Sequence, residues 1–179
     1  MEKLNIDGLG TVDEALVRID ALGEHYDAIG TIVFREFEPL ALTPVSMAWL
    51  SLLTRLQGLH DGIAREIRAE NPHAAFPLVR SLAETVAMVI YVLDKPEYVL
   101  ALFDPHEEAP RVKPRDLINH AKTRMAGIGP IYGELSAITH FDRLAYSLPF
   151  VVTDKEERIM EWRSRPAWKN ERQALIACG

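Results

Sequence analysis

Between Thr43 and Leu93 the sequence specifies two consecutive helices with almost no chain left to connect them. Thr43-Pro44 reads as a helix start. The hydroxyl can cap the first turn, and proline at the first helical position gives up no needed N–H. Val45, Trp49, Leu52, Leu56, Leu59, Ile63 and Ile67 then return every three or four residues, as far as Asn71-Pro72. That spacing predicts one amphipathic helix about 40 Å long. Gly58 and Gly62 lower helix propensity there, which marks a close approach or a bend. The second helix, about 73 to 93, carries Arg80, Ser81, Glu84 and Thr85 in its first half. Its second half, VAMVIYVL from Val86 to Leu93, is apolar on every side. A helix apolar all round is buried all round. The short connection makes the two helices an antiparallel heart.

The rest of the chain repeats the helical period. Thr11 to Glu14 (TVDE) is a capping box, followed by Leu16, Ile19, Leu22, Tyr26 and Ile29, with Gly30 closing the pattern. The segment TIVFREFEPLAL reads equally as an extended piece or a helical turn. PEYVLALF follows Asp94-Lys95-Pro96 as a short helix, and residues 104 to 114, rich in proline and charge, form a loop. Pro114 starts a helix with Leu117, Ile118, Ala121 and Met125 inward, closed by Gly127 and Gly129. Pro130 opens the next, to about Phe141. LPFVVT reads as a strand or an extended crossing. Thr153 to Glu156 (TDKE) reads as a second capping box leading into ERIMEWR. Pro166 begins a last amphipathic piece with Trp168, Leu175 and Ile176. The expected fold is all-α: a single-domain helical bundle of about six or seven helices over residues 1–179. Its core spans about 11–145 and a helical extension about 150–179.

Size and charge narrow the function classes. At 179 residues with 48% hydrophobic content, one domain can bury a full core without a metal or disulfide. The single Cys178 cannot form an internal disulfide. The opening MEKLNIDGLG has no apolar stretch of the signal-peptide kind. Val86–Leu93 is far shorter than the ~20 residues that span a bilayer. These features predict a cytoplasmic protein with no membrane partner. Residues 1–108 carry 8 basic and 18 acidic side chains, a net of −10. Residues 109–179 carry 12 and 8, a net of +4, which together give the overall −6. Opposite halves can attract each other within a monomer or between copies, so a homo-oligomer or a protein partner is expected. RNA on the basic half is the alternative. Trp162 and Trp168, interleaved with arginines and lysines, suit either base stacking or a helix contact with a charged rim.

One polar constellation stands out. Arg80 and Glu84 lie four apart on one face of the helix expected to be most buried. Such a pair needs further hydrogen bonds, or desolvation outweighs the attraction. Tyr132, Ser136 and His140 recur at the same spacing along another helix, opposite Ile131, Leu135 and Ile138. Two polar stripes face to face would form a small binding pocket of Arg80, Glu84, Tyr132, Ser136 and His140. His140, Arg80 and Glu84 would be its catalytic candidates, with Arg80 holding an anion and His140 moving a proton. The same residues could instead form a satisfied network that fixes helix register. His25, His60, His73 and His106 show no evident partners and read as surface or core-edge residues. Cys178 reads as incidental.

The segments LVRSLAETVAMVIYVL and YGELSAITHF resemble a broad family of uncharacterised bacterial all-helical proteins. That family carries R-S-x-x-E in a central helix and Y-x-x-L-S-x-x-x-H later. Here these are Arg80, Ser81 and Glu84, and Tyr132, Leu135, Ser136 and His140. The resemblance covers about residues 45–145 and implies a helical fold in which the two segments pair. More remotely, Arg115-Asp116 followed by His120 is similar to the R-x(4–6)-H motif of HEPN-like domains, helical proteins of toxin–antitoxin and phage-defence systems. It implies a metal-independent RNase using Arg115 and His120. Arg55/His60 and Arg68/His73 match the spacing without the polar follower.

Other chemistry lacks its residues. The sole E-x-x-H, Glu70 to His73, is interrupted by Pro72, so no di-iron site and no metal ligands are expected. There is no glycine-rich phosphate loop and no G-x-S-x-G elbow, and no cofactor is expected. The first expectation is therefore a protein-interaction or small-ligand-binding module, and the second a HEPN-like RNase.

Overall fold

The computed structural model describes residues 8, 10–36, 43–104, 106, 108, 110–140 and 146–178. Among them are seven helices: α1 (Val12–Glu36), α2 (Pro44–Arg68), α3 (Pro72–Asp94), α4 (Glu97–Leu102), α5 (Pro114–Ala121), α6 (Ile128–Thr139) and α7 (Glu171–Cys178). Two short strands, β1 (Phe150–Asp154) and β2 (Ile159–Trp162), lie between α6 and α7. Among the described residues the fold is an all-α bundle of seven helices with one small hairpin.

Local caps set the helix starts. The Thr11 hydroxyl accepts from Glu14 N, and Thr11 N donates to the Glu14 carboxylate at 2.8 Å. Thr43 caps α2 in the same reciprocal way with Ser46. The turn between α2 and α3 is a Schellman motif. Asn71 N donates to Glu66 O, and Glu70 N donates to Ile67 O. Its left-handed position is Glu70, at φ 54°, where glycine is the usual occupant.

The expected antiparallel heart forms. Arg55 on α2 donates to Thr85 on α3, and Gly62 sits against Leu78. Seven residues up one helix match seven down the other. A Cβ on Gly62 would meet Leu78 Cδ1 at 3.3 Å, so this glycine serves a close helix approach. The turn delivers α3 into the centre, where α2, α4, α5, α6 and α7 all pack on it. Phe76 is 1% exposed and stacks edge-on against Trp168 at 5.6 Å, while Leu135 from α6 is equally buried. By length and composition alone α3 could cross a bilayer; in the fold it is the hub of the helical contacts.

Several expectations are corrected. Gly30 does not end α1, which runs on to Glu36. Gly30 lies instead where α1 passes close to Leu53. Residues 37–42 and the expected helix end at Phe141 lie outside the described residues, as do parts of the 104–114 loop. Met125 falls beyond α5 and is 44% exposed. Helix α6 begins at Ile128, before Pro130. TDKE is not a helix start: it closes a hairpin, so residues 150–162 are not helical. The Asp154 carboxylate accepts from Glu156 N and Glu157 N, Arg158 takes φ 56°, and β2 pairs back on β1 with Phe150 opposite Trp162. A carboxylate binding backbone N–H groups two and three residues on serves a turn as well as a helix N-terminus. The helical part of the C-terminal segment is α7 alone.

Candidate functional site

The α3–α6 contact has two unlike sides. On one side are Arg80 and Glu84 of α3 and Tyr132 of α6. Arg80 Nη2 stands 3.1 Å from the Glu84 carboxylate and donates to the Tyr132 hydroxyl at 3.1 Å. The same hydroxyl donates to Glu84 Oε1 at 2.8 Å. The guanidinium also lies over the Tyr132 ring, 5.3 Å from its centroid. Arg80 and Glu84 side chains are only 19% and 27% exposed. Each therefore needs the other, and the phenol completes a closed triangle. The Arg80 charge is already balanced by Glu84, which leaves the guanidinium poorly suited to hold a free anion. Arg80 Nε, buried without a hydrogen-bond partner, is the one loose end.

The sequence named five residues here, and the structure joins three of them. Ser136 is half-buried one turn further along α6. His140 is the C-cap of α6, exposed, with its backbone N–H donating to Ser136 O. The hydrogen-bonded triangle does not include it.

The other side of the contact is apolar and open. Val79, Leu82, Ala83 and Val86 lie about 130° round α3 from the Arg80–Glu84 face. With Ile128 and Ile131 of α6 they border a cavity of about 450 Å³. Helices α1, α2 and α7 complete it, through Leu22 and Tyr26, His60, and Cys178. His60 has a side chain only 9% exposed, and neither ring nitrogen has a hydrogen-bond partner. The Asp61 carboxylate lies 3.6 Å from its Nδ1. The Tyr26 ring leans on the imidazole at 5.3 Å. Burial, and secondarily the Asp61 charge, push the Tyr26 phenol above its usual range. Burial also pushes the Cys178 thiol up to about 11. At neutral pH both therefore border the cavity uncharged.

His60 is the residue that sequence reading undervalued. It stands four after Leu56 and three before Ile63, on the buried stripe of α2. Spacing alone could have placed it inside.

The Arg115/His120 pair has a different fate. His120 Nε2 lies 2.9 Å from the Asp94 carboxylate, which Arg124 also engages. The Tyr91 ring meets the imidazole edge-on at 5.2 Å. Asp94 is the last residue of α3, where the helix dipole opposes a carboxylate, and two basic side chains offset that. Arg115, five residues before His120 on α5, is exposed. Trp168, a base-stacking candidate, is committed to the Phe76 contact, whereas Trp162 is 66% exposed on the hairpin.

No protein-family description, no curated protein and no solved structure matches the chain.

Proposed function

We propose that this chain is a small-ligand-binding helical domain whose site is the cavity between α1, α2, α3, α6 and α7. One observation carries the reading: an open, apolar-lined cleft of about 450 Å³ where five helices meet, bordered by a buried histidine neither of whose ring nitrogens has a hydrogen-bond partner. That volume and chemistry match those of small-molecule sites. Titration with naphthalene tests it. Saturable one-to-one binding is expected in the parent, and none in Ala83→Trp, whose indole fills the space. Binding that persists undiminished in a folded Ala83→Trp protein would place the ligand elsewhere and defeat the reading.

The Asp94–His120 contact supports a second reading, a HEPN-like metal-independent RNase. An acceptor on one imidazole nitrogen orients the ring for proton transfer. RNA cleavage should then survive chelator and vanish in His120→Ala. Intact RNA after incubation with the parent protein would sink it.

A further inference from the structure

The cavity is asymmetric in its chemistry, and that asymmetry selects a ligand. Among the described residues, no lysine, arginine, aspartate or glutamate borders it. A charged group entering it would lose its hydration without gaining a counter-charge, which costs several kcal/mol. An entirely apolar ligand would leave His60 as the protein does, with both nitrogens unpartnered. The two nitrogens are not equivalent. The Asp61 carboxylate, 68% exposed, stands 3.6 Å from Nδ1, and a carboxylate on that side favours the tautomer that carries its proton on Nδ1. Nε2 is then a hydrogen-bond acceptor with no donor from the protein. The Tyr26 ring against the imidazole restricts its reorientation.

Resting on the cavity reading above, we infer that the site takes neutral, predominantly apolar molecules bearing a hydroxyl group, which donates to His60 Nε2. His60 acts here as an anchor that selects ligands, and the hydrophobic walls supply most of the affinity. Tyr26, whose hydroxyl has no charge to offer at neutral pH, shapes the mouth beside it.

Three probes of one shape separate the possibilities at pH 7: naphthalene, 2-naphthol and 2-naphthoate, titrated against the parent, His60→Leu and His60→Gln. The quantity read is the affinity ratio of 2-naphthol to naphthalene, compared between parent and His60→Leu, so that differences in water solubility cancel. A neutral hydrogen bond predicts that this ratio falls about fivefold in His60→Leu. His60→Gln, which keeps an acceptor, should recover part of it. 2-Naphthoate should bind at least tenfold more weakly than naphthalene. An unchanged ratio in His60→Leu, or 2-naphthoate as the tightest of the three, overturns the inference while leaving the cavity as a binding site. Failure of naphthalene to bind saturably overturns the cavity reading itself, and the inference with it. Circular dichroism of each variant shows whether it is folded. If His60→Leu fails to fold, His60→Phe, which keeps a ring but has no acceptor, takes its place: a ratio lowered about fivefold supports the anchor, and an unchanged ratio overturns it.

Discussion

The two faces that α3 turns toward α6 solve the problem of a buried polar side chain in opposite ways. Arg80 is held by a carboxylate, a phenol oxygen and the face of an aromatic ring, and only its Nε is left without a hydrogen bond. His60, bordering the other face, has the Tyr26 ring and the Asp61 carboxylate beside it but no hydrogen-bond partner for either nitrogen. Polar groups that stabilise a fold are paired, because an unpaired one costs about 1–3 kcal/mol. The proposed binding role gives the unpaired His60 nitrogens a use beside the cavity that stability alone does not. On the reading proposed above, the difference between the two faces separates a structural polar site from a binding one.

That contrast can be broken in several ways. The largest effect is on Cys178, whose thiol is pushed up to about 11 from an ordinary 9. Two pH units leave about a hundredfold less thiolate at pH 8. Alkylation should therefore be about a hundredfold slower in the folded protein than in urea, and slower again with naphthalene bound. A rate equal to that of the unfolded chain would mean the cavity wall is open there. The sign of the accompanying pH effect is fixed. Below pH 9 the thiol is protonated in both states. Between 9 and about 11 the unfolded chain releases a proton that the folded chain keeps. Stability must then fall as pH rises through that window, and Cys178→Ala should flatten the fall seen by denaturant unfolding.

Next in size is the satisfied face. Glu84→Ala strands both Arg80 and Tyr132 and should lower stability by about 1–3 kcal/mol. That is less than for a fully buried pair, because both side chains keep some solvent contact. Tyr132→Phe keeps the ring over Arg80 and removes only the hydroxyl, so a loss of about 1 kcal/mol is expected. Urea titration of both variants would show whether the triangle acts as a unit. The smallest effect has the opposite sign. His60→Leu removes an unpaired buried polar group and should raise the melting temperature by about 2–4 °C, on the order of 1 kcal/mol. A fall instead would show that His60 is structural, and the contrast between the faces would collapse.

How far these features were legible in the sequence depended on their range. Helix starts at Thr11 and Thr43 were readable because a cap is settled within four residues. The Arg80–Glu84 pair followed from helical spacing, and Tyr132 from its own stripe. His140, one turn further along that stripe, falls at the helix end, where the backbone leaves the spiral and the stripe loses its meaning. TDKE misled for the converse reason. Its local chemistry serves a helix cap and a hairpin turn alike, and only the pairing of β1 with β2 decides. The cavity could not be read at all. It exists because the side chains of five separate helices stop short of one another, a property held by no single segment.

The Schellman turn at Glu70 has a consequence for the order in which the molecule assembles. It joins α2 and α3 through so little chain that closing them loses little conformational entropy, and such local pairing forms early. The cavity needs more. Its walls from α1, α6 and α7 must travel from both ends of the sequence before the cleft exists. A ligand held there binds only the finished molecule, so it should act as a folding clamp. Its presence would raise the melting temperature with concentration and protect the amides of α1 and α7 against exchange far more than those of the early α2–α3 pair.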